Sequence, residues 1–166
     1  MSTFSSVPVF GALAPATIDF LRARAATVTV AAGELFFSQG DLGDCLFVLE
    51  EGRVAIERSR DGFSACLAEL RSGDCFGEMA LVAIMPRSAS ARALEDCRAL
   101  RLPNRALLDL SHEDLEQFTL LQMNLGREIA RRLRIADDLL IEHLRRERAA
   151  GRDGAALSAR FADALK

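Results

Sequence analysis

Gly73-Asp74-Cys75-Phe76-Gly77-Glu78-Met79-Ala80-Leu81-Val82, followed shortly by Pro86-Arg87-Ser88-Ala89, is the stretch around which the rest of this chain organises. A glycine turn leads into a few helix-compatible residues, which puts backbone N–H groups and the positive end of a short helix dipole near Gly77 to Ala80. That arrangement favours an anion. The small residues Ser88, Ala89, Ser90 and Ala91 leave room above the backbone for something bulky, and the guanidinium of Arg87 suits a phosphate. Glu78 and Arg87 stand among Phe, Met, Leu, Val and Ile, where losing one partner of a buried charge pair costs about 3–5 kcal/mol. Two readings follow: the two side chains pair with each other or with surface groups, or a ligand offering a hydroxyl and a phosphate satisfies both.

Outward from this stretch, from Val28 to about Leu102, short apolar runs alternate with turn residues. The runs are Val28–Val30, Leu35–Phe37, Leu46–Leu49, Arg53–Arg58, Phe63–Leu70, Ser88–Leu94 and Ala99–Leu102. Gly33, Gly40-Asp41, Gly43-Asp44, Gly52, Asp61-Gly62 and Gly73-Asp74 separate them. Such spacing predicts a mainly β fold, an antiparallel β-roll or jelly roll with flanking helices, and not βαβ units. Asp61-Gly62 after Val54 and Ile56 predicts a hairpin.

Helical spacing frames the β region. Pro15 suits a first turn, and Ile18, Leu21 and Ala25 predict a helix over Pro15–Ala26. After Pro103, Asn104 is placed to cap a short helix ending near Leu110, and Ser111 with Asp114 resembles a capping box. Phe118, Leu121, Leu125, Ile129, Leu133, Ala136, Leu140 and Leu144 then form one stripe, which predicts a long amphipathic helix from Leu115 to about Ala149. Gly151 and Gly154 interrupt it. In the tail, Leu157, Phe161 and Leu165 share one potential helical face. The predicted organisation is one domain over 1–150, with the roll at about 28–102 and the C-terminal helices at about 104–149, then a short tail over 151–166 that suits a lid.

Composition narrows the function classes. Half of the 166 residues are hydrophobic, enough for a sizeable core, and the formal net charge of −3 gives no general attraction to nucleic acid or anionic lipid. No run has the length needed to span a bilayer and no secretory leader is recognised, so a cytoplasmic setting without membrane attachment is expected. Cys45, Cys66, Cys75 and Cys97 lack C-x-x-C spacing, which predicts reduced, structural thiols and no zinc site. His112 and His143 are the only histidines, and no His and carboxylate cluster has metal spacing. Met79, Ile84 and Met85 read as core or pocket wall.

The segment Phe76–Leu81 with Pro86–Ala89 resembles the phosphate-binding cassette of the cyclic nucleotide-binding domain family. The similarity extends through Ala32-Gly33-Glu34, Phe37, Gln39-Gly40-Asp41, Gly43-Asp44, Leu46 to Gly52 and Val54, over about Ile18 to Leu144. It implies that Glu78 accepts a hydrogen bond from the ribose 2′-hydroxyl and that Arg87 pairs with the cyclic phosphate. It further implies backbone contacts from Gly77 and Ala80, and a phosphate contact from Ser88. The expected ligand-binding set is Gly77, Glu78, Met79, Ala80, Arg87, Ser88 and Ala89, with cAMP or cGMP as ligand, no cofactor, no metal and no catalytic residue. Many relatives carry a glycine just before the Pro-Arg pair, where this chain has Ala83-Ile84-Met85.

In this family the long helix closes over the base. Arg127, Arg131, Arg132 and Arg134 are candidates to touch the purine; the alternative is a solvated face paired with Asp137, Asp138 and Glu142. With no Trp or Tyr, base stacking falls to Phe or an arginine plane, and Phe161 is a candidate lid. The stripe along the long helix is also a candidate homodimer seam. The leading expectation is a sensor or regulatory module that passes ligand occupancy through this helix to a separate effector protein. A shortened catabolite-activator-type transcription regulator is the alternative, with only about twenty residues left for a DNA-binding module. A phosphodiesterase using Glu78 as base is the third.

Overall fold

The computed structural model describes residues 7–150 and Asp163; Phe161 and the rest of the expected lid lie outside the described residues. In chain order the elements are α1 (Pro15–Arg24), β1 (Ala26–Val30), β2 (Leu35–Phe37), β3 (Cys45–Glu51), β4 (Arg53–Arg60), β5 (Phe63–Arg71), β6 (Cys75–Phe76), α2 (Glu78–Ala83), β7 (Ser90–Ala93), β8 (Cys97–Pro103), α3 (Asn104–Glu113) and α4 (Leu115–Ala149). A short 3₁₀ turn, Pro8–Phe10, precedes α1. The strands form two four-stranded sheets, β1-β8-β3-β6 and β2-β7-β4-β5, and every pairing is antiparallel. The mainly β, roll-type expectation with flanking helices therefore holds.

β3 shows why a continuous apolar run forms a strand here. Its alternate residues serve two cores: Cys45, Phe47 and Leu49 face the other sheet, while Leu46 and Val48 face the helices. β8 divides in the same way, with Cys97 and Ala99 in the inter-sheet core and Leu100 and Leu102 in the helical one. A strand covered on both faces needs no polar alternation. In the inter-sheet core Phe36, Phe37, Phe47 and Phe76 form an aromatic cluster, its closest ring pair 5.1 Å apart. Ala91 and Ala93 are fully buried in that core. So part of the small-residue run makes room for phenylalanines of the facing sheet instead of for a ligand.

Asp61 and Gly62 both take left-handed φ, 53° and 79°, as a two-residue hairpin turn between twisted strands demands. Several local expectations need correction. The first helix stops at Arg24 because Ala26 already pairs with Arg101 of β8. Asn104 is the first residue of α3 and not its cap; its backbone N–H donates to the Asp44 carbonyl, and its side-chain amide to the Gly43 carbonyl. Ser111 lies inside α3, with its hydroxyl on the Leu108 carbonyl, so it forms no capping box. Asp114 is the true cap of α4, accepting from the Gln117 N–H at 3.0 Å. The cap of α4 thus moves from Ser111 to Asp114, since Ser and Asp both cap and only tertiary context selects between them.

The chain divides into two compact units, the boundary falling within α4 between Glu128 and Ile129. In the first unit Val7, Val9, Phe10 and Leu13 are buried with Leu21, Leu107, Leu110, Leu121 and Leu125. Asn124 pins the N-terminal turn there by donating to the carbonyls of Val9 (3.1 Å) and Gly11 (2.8 Å). The second unit begins with the remainder of α4, where Leu133, Ile135, Leu139 and Ile141 are exposed.

Candidate functional site

β6 and α2 carry one half of the site. Gly77, between them, has φ 84° and ψ 0°, and α2 starts directly after it with no side chain capping its first turn. A side chain is excluded at Gly77 twice over. The left-handed backbone favours glycine, and a Cβ would lie 2.6 Å from Arg87 Nη1. Glu78 opens the helix and is 1% exposed, a carboxylate at a dipole end that favours negative charge. Ala80 is buried beneath it in sequence, against Gly43, where any Cβ would collide with the Ala80 methyl.

Arg87 carries the other half. It is 4% exposed, and its partners are backbone carbonyls: Nη1 donates to Gly77 at 2.7 Å and Nη2 to Cys45 at 2.8 Å. The guanidinium carbon lies 4.2 Å from the centre of the Phe37 ring, and Nη2 is 3.5 Å from Cys45 Sγ. Nε is buried and has no hydrogen-bond partner among the described residues. Leaving such a donor unmade costs about 1–3 kcal/mol, which an additional acceptor would offset. Burial first, then the hydrogen bond with Asp44, pushes the Cys45 thiol above its ordinary range, so it remains a neutral thiol beside the cation.

The backbone of Arg87 is fixed as firmly as its head. Its N–H donates to the Asp41 carbonyl at 2.8 Å, and its carbonyl accepts from the Gly40 N–H at 2.9 Å. The loop between β2 and β3 thereby becomes the wall behind the arginine. Ser88, exposed next to it, has its hydroxyl 3.8 Å from Met79 Sδ, and Ala89 is buried.

Of the expected set, Gly77, Glu78, Ala80, Arg87 and Ala89 are buried or half-buried. Met79 and Ser88 face solvent. The structure brings Gly77 onto Arg87 and Met79 onto Ser88. Met79, Ile84 and Met85 are not core: all are exposed, Ile84 at 91%, because the short helix α2 turns Glu78, Ala80 and Leu81 inward and leaves Met79 on the opposite side. Ile84 adopts φ 51° and ψ 46° at the end of α2. A left-handed conformation costs a non-glycine residue about 1–2 kcal/mol, so this chain keeps a glycine-type bend without the glycine. Cys66 is exposed, so it does not fit the expectation of a structural thiol; it lies on β5, an edge strand whose neighbour covers one side only.

Three contributors escaped the sequence reading. Phe37, Gly43 and Cys45 act through a ring face, an absent Cβ and a carbonyl, none of which a charge pattern reports. The turn glycines around Asp41 and Asp44 were the available signal. On α4, Arg127 donates to Asn124 Oδ1 at 2.8 Å, and Glu142 pairs with Arg146 at 2.9 Å, one turn along the helix. That pair has the i,i+4 geometry of neighbouring helix turns. Among the described residues no group of three His, Cys, Asp or Glu side chains is arranged to hold a metal.

Known proteins resemble this chain in sequence and fold. The cyclic AMP receptor protein of Thermus thermophilus is 37% identical over 131 residues, covering 78% of this chain and 59% of that protein. The crystal structure of the Thermus thermophilus catabolite activator protein superposes with a TM-score of 0.71 at 36% identity, over 82% of this chain and 63% of that one. The N-terminal domain of a transcriptional regulator from Streptomyces coelicolor A3(2) gives 0.66 at 34% identity, over 83% of this chain and 96% of that domain. The chain thus spans less than two thirds of the first two relatives. The cyclic nucleotide-binding domain family matches residues 27–114, from β1 through α3, so the Gly77 turn and the buried Arg87 belong to a member of the cyclic nucleotide-binding domain family.

Proposed function

We propose that this chain is a cyclic nucleotide sensor that takes cAMP or cGMP and passes its occupancy through α4 to a separate effector protein. The observation that carries the reading is Arg87: a buried guanidinium, aligned by two carbonyls, with Nε left without a partner. A cyclic phosphate supplies the acceptor, together with backbone N–H groups of Gly77 and Ala80 and with Ser88. Glu78 accepts from the ribose 2′-hydroxyl; Met79 and Ala89 line the ligand. The name of the Thermus relative supports cAMP as the first ligand to test. The exposed leucines and isoleucines of α4 beyond Ile129 support a homodimer along that helix. The free thiols of Cys45, Cys66, Cys75 and Cys97 support a reducing, cytoplasmic setting, and no helix among the described residues is long and apolar enough to cross a membrane.

Calorimetric titration with both nucleotides tests the reading, alongside mass spectrometry of whatever the denatured protein releases. Wild type binds at least one of the two, and Arg87→Ala weakens that binding about a hundredfold, as loss of charge-assisted bonds in a buried site requires. Wild-type affinity in Arg87→Ala sinks the assignment.

A further inference from the structure

Gln39 lies in the loop after β2 and does something unusual for an exposed side chain. β4 extends beyond its pairing with β7, whose last shared position is Glu57 with Ser90. Past that point the β7-side backbone groups of Ser59 have no strand to meet. The Gln39 amide meets them instead: its Oε1 accepts from the Ser59 N–H at 2.9 Å, and its Nε2 donates to the Ser59 carbonyl at 3.1 Å. One side chain thus stands in for a missing ladder step, and the donor and acceptor order on Ser59 fixes the orientation of the amide. The backbone N–H of Gln39 donates to Ser90 Oγ at 2.8 Å, on the strand that follows Arg87.

The next two residues of the loop hold Arg87. Gly40 and Asp41 make the reciprocal backbone pair with it, and Asp41 closes the loop on itself by accepting from the Ser38 N–H at 2.8 Å. The same loop runs on to Gly43, whose missing Cβ leaves room for Ala80 and for the guanidinium carbon of Arg87. We propose that Gln39 is a positioning residue for the phosphate-binding arginine: by bolting the loop to β4 it fixes the backbone of Arg87, so that the guanidinium reaches Gly77 and Cys45 with Nε directed to the ligand. This inference rests on the reading of Arg87 given above.

The test is a cycle of four full-length proteins: wild type, Gln39→Ala, Arg87→Lys and the double variant, each titrated with cAMP and cGMP and each melted without ligand. Gln39→Ala weakens binding about five- to tenfold when Arg87 is present, the loss expected for two solvent-facing hydrogen bonds acting on one group. In the Arg87→Lys background the same substitution costs less than about twofold, since there is no aligned guanidinium left to disturb. Equal losses in both backgrounds, or no loss in the first, overturn the proposal. A second readout needs no ligand: the Arg87 Nε–H resonance, protected from solvent exchange in wild type, exchanges faster in Gln39→Ala. An unchanged resonance overturns the proposal as well. If wild type binds neither nucleotide the sensor reading fails on its own, and this resonance still decides the role of Gln39.

Discussion

The two ends of α4 carry the same apolar spacing and meet opposite surroundings. In the first unit Leu121 and Leu125 are fully buried against the N-terminal turn, α1 and α3. Two turns further on, Leu133 of the same stripe is 60% exposed, while Leu140 and Leu144 are half-buried. The stripe from Phe118 to Leu144 is continuous in the sequence, so periodicity alone reports that a face is apolar and is silent about what covers it. In the first unit the cover is the chain itself, with Asn124 as the polar fastening. In the second, the exposed residues are the basis for proposing a second copy.

Truncation at matched positions breaks this comparison most directly. Leu125→Ala should cost about 2–5 kcal/mol, because a cavity opens in a packed cluster. Leu133→Ala in dilute protein should stay within about 0.5 kcal/mol of wild type. Thermal or urea unfolding measures both, and equal losses would mean that the two halves are covered alike. Next in size, Asn124→Ala removes two bonds to carbonyls of the N-terminal turn, one buried and one partly buried, and should cost about 1–3 kcal/mol, with faster amide exchange over residues 7–13. An unaltered exchange pattern would show that the N-terminal turn is held by its apolar residues alone. Leu133→Glu combined with Leu140→Glu should convert a dimer to a monomer in sedimentation while leaving the melting of the first unit unchanged; a species of unchanged size rejects the seam.

The smallest effect is on pH. The Cys45 thiol is raised in the folded first unit by burial and by its Asp44 neighbour. For a raised group the stability contribution is full below the ordinary thiol value and is lost as pH climbs through the folded one, because the unfolded chain releases its proton first. Stability of the first unit should therefore decline above the ordinary value of 9.0. Cys45→Ala should flatten that decline, and a decline of the same slope in the variant assigns it elsewhere.

The sequence made the charged part of the site legible and left the geometry that aims it hidden. Glu78 and Arg87 stood out because charges in an apolar setting need an explanation. Phe37 and Gly43 were legible only as points of family similarity and Cys45 only as a thiol, since a ring face, an absent methyl and a carbonyl do not announce the distant side chain on which they act. The long periodic element was readable, α4 ending at Ala149 as expected, and so were elements bounded by turn residues, β2 and the Asp61-Gly62 hairpin. Elements with neither a period nor a flanking turn signal were not. β6 has two residues and exists only because Cys75 and Phe76 pair with Val48 and Phe47. The 3₁₀ turn at Pro8–Phe10 is too brief for any period to show.

The double duty of β3 and β8 has a consequence for how the first unit comes apart. Neighbouring residues on each of these strands anchor different cores, Leu46 the helical one and Phe47 the aromatic one. Neither core can melt while the other keeps the strand in register, so the first unit should unfold in one cooperative step, with the slowest-exchanging amides on β3 and β8. Any nucleotide bound at Arg87 then protects the whole unit, including helices it never touches, by the same increment of free energy.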